Sequence, residues 1–201
     1  MDGWSDEDFR REVYNADYVR ADPPIPGRAE VPVKETPAYH AGLYIASMLQ
    51  GSQGEIRILD FGSGGNPGPT GLGLADQGFS VDSYEPYRSS SSYTPGSQYD
   101  VIVAIEVLEH CHDLVKTVQF MKTHLSREGI LWIQTMLHPH PTPANVLESW
   151  YIAPRNGHIS IFSLWALTLL FRPAGISIVQ TPFAILGFKN LPRFQNQIFA
   201  R

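Results

Sequence analysis

Residues 56–86 read IRILDFGSGGNPGPTGLGLADQGFSVDSYEP, and the order of their parts decides the fold. An apolar run from Ile56 to Phe61 predicts a first strand, with Asp60 near its end, and the turn Gly62-Ser63-Gly64-Gly65 follows it. Glycine has no Cβ, so such a turn lets the backbone approach a ligand closely. Pro69 and Thr70 then suit the opening of a helix running to Gln77, because proline is pre-shaped for the first helical turn. Gly71 and Gly73 weaken that helix, which implies close contact with the sheet or with a ligand. A second apolar run, Phe79 to Glu85, predicts the next strand. Strand, glycine turn, helix and strand make half of a doubly wound α/β sheet, and Glu85, 21 residues after Gly64, stands where such sheets place a carboxylate against the hydroxyls of an adenosine ribose.

The ligand class follows from two departures. The dinucleotide pattern G-x-G-x-x-G needs a third glycine, and Pro67 occupies that position. Asp60 lies two residues before the first glycine, where it would repel a pyrophosphate and attract a cation. S-adenosylmethionine fits these acids: it offers a ribose to Glu85, carries a sulfonium and an ammonium, and has no phosphate. An NAD-linked reductase is disfavoured on the same grounds.

Tyr99 to His112 reads YDVIVAIEVLEHCH, a buried-type strand from Val101 to Ile105 running into Glu106, Glu109 and His110. With LDFGSGG, the acid of SYEP and a later GILWIQT, this segment resembles class I S-adenosylmethionine-dependent methyltransferases over about Ile56 to Thr135. The resemblance implies an α/β fold with a single doubly wound, mostly parallel seven-stranded-type sheet, and methyl transfer to a small-molecule acceptor. It implies cofactor contacts from Asp60, Gly62, Ser63, Gly64, Gly65, Glu85, Pro86, Glu106, Val107 and His110. YNADYVRADPP near the N-terminus and WYIAPRNGHISIFS near residue 150 look like a bacterial subgroup acting on sugars, glycans or natural-product intermediates, whose later segment reads approximately W-Y-I-x-D-P-T-H-x-x-F-Y-S. Arg155 and Asn156 depart from its Asp-Pro, and Gly157 precedes His158.

Between Glu85 and Tyr99 the family fits a helix and a strand, yet RSSSSYTPGSQ has the composition of a loop. The region between the second strand and the strand at Tyr99 is therefore expected to be shortened, with a vestigial strand near Tyr93 at most. The acid or amide that the family sets against the adenine ring is missing there, which leaves Tyr84, Tyr87 or backbone groups for that contact. A non-catalytic binding or scaffold protein of the same fold is the alternative that this shortening raises.

Beyond Tyr99, a helix is expected from about Asp113 to Leu125, since Leu114, Val118, Met121 and Leu125 share one face, with Gly129 breaking it. Strands are expected at Ile130 to Thr135, Ile176 to Thr181 and Gln195 to Ala200, the last antiparallel, and a buried helix at Ser163 to Phe171. Upstream, residues 1–50 divide into a helix whose Phe9, Val13, Tyr14 and Tyr18 share a face and cap the cofactor site, a proline-rich strap from Asp22 to Pro37, and a helix from Tyr39 to Leu49. Residues 51–201 form the methyltransferase core, and the two parts make one structural domain. Asp22-Pro23-Pro24-Ile25 resembles the D-P-P-Y motif of amino-methylating enzymes, but it does not end a buried strand and reads as strap.

A formal net charge of −5 argues against a nucleic-acid footprint, which needs a clustered basic face. The single cysteine, Cys111, excludes an internal disulfide, and with no charged-then-apolar N-terminal segment the expected location is the cytoplasm. The longest apolar run, Ile159 to Phe171, is too short to span a bilayer, so no membrane insertion is expected.

Methyl transfer requires alignment of an acceptor and exclusion of water, with a base only if the acceptor must lose a proton. His158 is the first candidate base, because it lies in the stretch resembling the subgroup motif; His138 and His140, in an H-P-H-P-T-P loop, are weaker candidates. Glu106, Glu109 and His110 match a metal-binding E-x-x-E-H segment of related quinone-biosynthesis O-methyltransferases, but the commoner use of this segment is to shape the strand-to-helix turn, so no metal is assigned. His110, Cys111 and His112 lack the paired spacing of a zinc site.

Overall fold

A computed structural model of the chain describes residues 5–13, 15, 31–86, 96, 98–138, 151 and 157–192. Its centre is a six-stranded sheet of β1 (Arg57–Phe61), β2 (Ser80–Tyr84), β3 (Tyr99–Ile105), β4 (Leu125–Gln134), β5 (Ser177–Gln180) and β6 (Ile185–Phe188), in the order β2-β1-β3-β4-β6-β5. The first four are parallel, and β6 is antiparallel to both β4 and β5. Helices α1 (Asp6–Glu12), α2 (Pro37–Met48), α3 (Pro69–Ala75), α4 (Leu114–His124) and α5 (Leu164–Phe171) complete the described elements, with short 3-10 turns.

Alternation along the strands divides the core into two layers. Leu59, Ile102, Ala104, Leu131 and Ile133 face one side, where Val118 and Met121 of α4 and Leu167 and Phe171 of α5 cover them. Ile58, Val101, Val103, Ile130 and Trp132 face the other, against Ile45 and Leu49 from the α2 region and Leu74 of α3. β3 is buried on both faces, as its near-continuous apolar sequence requires. Each fully buried Ile or Leu contributes about 1.5–3 kcal/mol, so these layers dominate the stability of the domain.

The two glycines inside α3 have separate packing reasons. A Cβ on Gly71 would stand 3.0 Å from Asp60 Oδ2 and 3.0 Å from Ser83 Oγ, so Gly71 seats the helix on the sheet. A Cβ on Gly73 would collide with the backbone of Tyr39, and one on Gly42 with the Thr70 carbonyl, so facing glycines let α2 and α3 cross at backbone contact.

One expectation changes, and one strand is added. Helix α4 stops at His124 and β4 begins at Leu125, so Gly129 lies inside a strand and does not end the helix. The pairing of β3 with β4 shifts register between Tyr99 and Val101, and a Cβ on Gly129 would lie 3.0 Å from the Asp100 carbonyl there; the glycine serves that irregularity. Ile185–Phe188 is a further antiparallel strand, too short and, with Gly187, too irregular to be marked by sequence alone. The strand expected at 195–200, the stretch near Tyr93 and most of the strap lie outside the described residues. Among the described residues, no helix is long and apolar enough to cross a membrane.

Candidate functional site

The strand order reverses between β1 and β3: the chain leaves β1 for β2 on one side, then returns to lay β3 on the other. In open α/β sheets, ligands bind in the crevice outside the carboxyl ends of the strands at such a switch point. The loops after β1 and β3 meet here. Gly62, at φ +73°, leaves no room for a Cβ, which would lie within 2.7 Å of both methyls of Val107. The glycine turn is fastened to the end of β2: the amides of Gly62 and Ser63 donate to the Tyr84 carbonyl at 2.8 and 3.3 Å, and the amide of Gly64 donates to Glu85 Oε2 at 2.9 Å. Ser63 Oγ closes the turn by donating to the Gly65 carbonyl at 2.6 Å. Pro86, partly exposed, follows Glu85 at this edge.

Asp60 is buried and points away from solvent, accepting a 3.0 Å hydrogen bond from the Gly71 amide in the first turn of α3. It thus satisfies one of the helix's unpaired N-terminal donors. Burial pushes its carboxyl up to about 7, against the lowering effect of that amide, and Glu85 nearby adds to the rise.

After β3 the backbone turns sharply. Glu106 has φ +50°, the left-handed region that non-glycine residues seldom occupy, and its amide donates to the Gln134 carbonyl at 2.9 Å. Its carboxylate is thereby aimed at Tyr151, whose hydroxyl lies 2.8 Å from Glu106 Oε2 and also contacts Glu109 Oε1. Glu109 is fully buried, and its second oxygen accepts from Thr135 Oγ1 at 3.1 Å. Burial raises the Glu106 carboxyl to about 7, with the Glu109 charge as the next cause, while the Tyr151 hydroxyl is raised chiefly by burial and then by Glu109.

Of the histidines, His158 Nδ1 donates to the Tyr151 carbonyl at 2.7 Å, and its ring packs on Tyr151 at 4.1 Å and on His110 at 4.7 Å between centroids. It therefore stands behind Tyr151 and steadies it. His110 Nδ1 lies 3.3 Å from the Gly157 carbonyl, and burial with the neighbouring His158 lowers it to about 4, so it is neutral at pH 7. His138 donates its amide to Phe162 at 2.8 Å, and its Nδ1 is buried without a partner. His140 lies outside the described residues.

Glu109, His110 and His158 bring ligand-type atoms within 4.8 Å of one another. Tyr151 and Thr135 also hydrogen-bond the Glu109 carboxylate, and His158 Nδ1 donates to the Tyr151 carbonyl.

A cavity of about 590 Å³ opens beside this cluster, at the carboxyl end of β4 and the turn between β5 and β6. Glu106, Thr135 and Tyr151 form one wall, and Phe183 and Ile185 stand in the other. Sequence reasoning missed Tyr151, Thr135 and the turn at 181–184. The available signal for Tyr151 was physical: a carboxylate buried like Glu109 needs donors, and the quoted segment WYIAPRNGHISIFS supplies a hydroxyl.

Sheet order, glycine turn and acid-tipped strands define a class I S-adenosylmethionine-dependent methyltransferase fold. The chain belongs to the family described as "Methyltransferase domain", whose model matches residues 34–181. Among solved structures it is similar to the mitomycin 7-O-methyltransferase MmcR, with 15% identity and a TM-score of 0.59 over 92% of this chain and 60% of that one. It is similar also to the 1,6-didemethyltoxoflavin-N1-methyltransferase of Burkholderia thailandensis, solved with bound 1,6-didemethyltoxoflavin and S-adenosylhomocysteine, with 16% identity and a TM-score of 0.51 over 77% of each chain. A methyltransferase of calicheamicin biosynthesis in its SAH-bound form shares 16% identity and a TM-score of 0.53 over 76% of this chain. The chain spans only 54% of that last protein's length. No curated protein sequence matches the chain significantly.

Proposed function

We propose that this protein transfers the methyl group of S-adenosylmethionine to a small-molecule acceptor of the natural-product, sugar or glycan type. The observation that carries the reading is the crevice at the switch point, where Gly62 is pressed against Val107 and Glu85 is fixed by the Gly64 amide. It offers backbone groups at close range and a strand-end carboxylate suited to ribose hydroxyls, and no basic side chain of the kind that cradles phosphates stands among Asp60 to Pro86.

S-adenosylmethionine supplies an activated methyl group, so the chain has to hold two molecules in line and exclude water. In this reading Glu85 and Pro86 take the ribose end, Gly62 to Gly65 take the amino-acid end, and Glu106, Val107 and His110 border the sulfonium. Asp60 acts through the first turn of α3, which it fixes. The cavity beyond Glu106 receives the acceptor, with Glu106, steadied by Tyr151, as the proton-accepting group closest to it. His158 acts as a positioning residue through Tyr151. The similar solved structures include methyltransferases named for mitomycin, toxoflavin and calicheamicin chemistry, which supports the small-molecule acceptor class.

The test is turnover: purified protein with S-adenosylmethionine and a panel of hydroxylated and amino aromatic compounds, read as S-adenosylhomocysteine release. Release that depends on acceptor and falls at least tenfold in Glu85→Ala supports the reading. Cofactor binding without release from any acceptor would favour a binding protein on the same fold.

A further inference from the structure

The cavity beside Glu106 has a one-sided chemistry. Among the described lining residues Glu106 is the only charged one, and none is Lys, Arg or His. Several of the cavity's polar groups donate within the protein: Gln134 Nε2 to the Phe183 carbonyl at 3.0 Å, Thr181 Oγ1 to the Ala184 carbonyl at 2.9 Å, and the Tyr151 hydroxyl to Glu106 at 2.8 Å. Hydrogen-bond acceptors remain, chiefly the Glu106 carboxylate. The rest of the lining is largely apolar, with Ile133, Pro182 and the half-exposed ring of Phe183.

A second observation concerns the carboxylates. The Tyr151 hydroxyl has one proton and lies within hydrogen-bond reach of both Glu106 and Glu109, and no ion pair to either is found among the described residues. One hydroxyl proton cannot bond two carboxylates at once. The described lining thus offers a carboxylate and no cation, and a ligand bringing positive charge would pair with it.

We propose that the cavity takes an acceptor bearing a protonated amine on an apolar body, with the ammonium seated on the Glu106 carboxylate. The inference rests on reading the cavity as the acceptor side of a methyltransferase, and it narrows the acceptor class. Phosphorylated, nucleotide-linked and carboxylate-bearing molecules are excluded by the same charge, since nothing in the described lining would neutralise them. The aromatic or alicyclic part lies along the exposed Phe183 and Pro182.

Three probes of one body separate the possibilities: 2-phenylethylamine, 2-phenylethanol and phenylacetate, each titrated calorimetrically into the protein with and without saturating S-adenosylhomocysteine. The amine is expected to bind at least tenfold more tightly than phenylacetate, with the alcohol between them. In Glu106→Gln, which keeps the shape and removes the charge, the preference should shrink to about twofold, while circular dichroism and the urea unfolding midpoint show that the fold is intact. If Glu106→Gln fails those controls, the wild-type preference for the amine must instead weaken as salt rises from 50 to 500 mM, as screening of one charge pair requires. Equal or tighter binding of phenylacetate, no amine binding at 10 mM, or a preference that ignores both Glu106 and salt would overturn the proposal. Failure to bind S-adenosylhomocysteine is a separate result: it bears on the methyltransferase reading, and the probe series without cofactor still decides the acceptor class.

Discussion

The Gly64 amide and the Glu85 carboxylate are joined by a 2.9 Å hydrogen bond that ties the turn after β1 to the end of β2. The bond sets the carboxylate beside the glycine turn before any ligand arrives.

This geometry predicts the effect of Glu85→Ala. Hydrogen bonds to a charged group contribute about 1.5–3 kcal/mol each, so loss of the ribose contact should weaken S-adenosylhomocysteine binding by about 10- to 100-fold. Calorimetric titration checks it, and Glu85→Gln, which retains an acceptor oxygen, should fall between the two.

At Gly62, two costs coincide: a left-handed φ and a clash with Val107. Gly62→Ala should destabilise the protein by about 2–6 kcal/mol, since left-handed strain and overpacking each cost about 1–3 kcal/mol. Val107→Ala in the same chain should recover the overpacking part alone, and urea unfolding of the two variants separates the terms.

In an exposed helix, Gly→Ala stabilises by about 0.5–1 kcal/mol. At Gly73 the sign should reverse, because the added methyl meets the Tyr39 backbone where α2 crosses α3. A thermal midpoint of Gly73→Ala equal to or above the wild type would show that the two helices are not in backbone contact.

The acids also set a pH dependence. Asp60 and Glu106 both have raised carboxyls, near 7, so the folded chain holds protons that the unfolded chain releases above about 4, and stability falls as pH rises from 4 to 7. His110, lowered to about 4, acts oppositely: the unfolded chain binds its proton below about 6.5, so this group adds stability as pH rises from 4 to 6.5. Two groups against one leave a net fall. Asp60→Asn should flatten it and raise stability at pH 8 relative to wild type, measured by urea midpoints at pH 5 and 8.

Much of this architecture was legible in the sequence because it rests on local chemistry. Runs such as Val101 to Ile105 are buried on both faces and therefore unbroken, and the glycine turn is marked by the conformations only glycine adopts freely. What stayed hidden depends on partners distant in sequence. Gly129 reads as a helix breaker until Tyr99 and Leu125 are paired, and Ile185–Phe188 is too short to announce a strand without β4 beside it. The site divides similarly: Asp60, Glu85 and Glu106 stand at strand ends and could be found by position, whereas Tyr151 reaches Glu109 across 42 residues and has no local signature. His158, singled out for its motif, donates Nδ1 to the Tyr151 carbonyl at 2.7 Å.

The central claim, that the crevice between the β1 and β3 loops is an S-adenosylmethionine site, is tested most directly by calorimetric titration of S-adenosylhomocysteine into the wild-type protein and Glu85→Ala. Saturable binding at one site per chain, weakened at least tenfold by the substitution, is the predicted result. No heat of binding to the wild type at millimolar ligand, or equal affinity in both proteins, would contradict it.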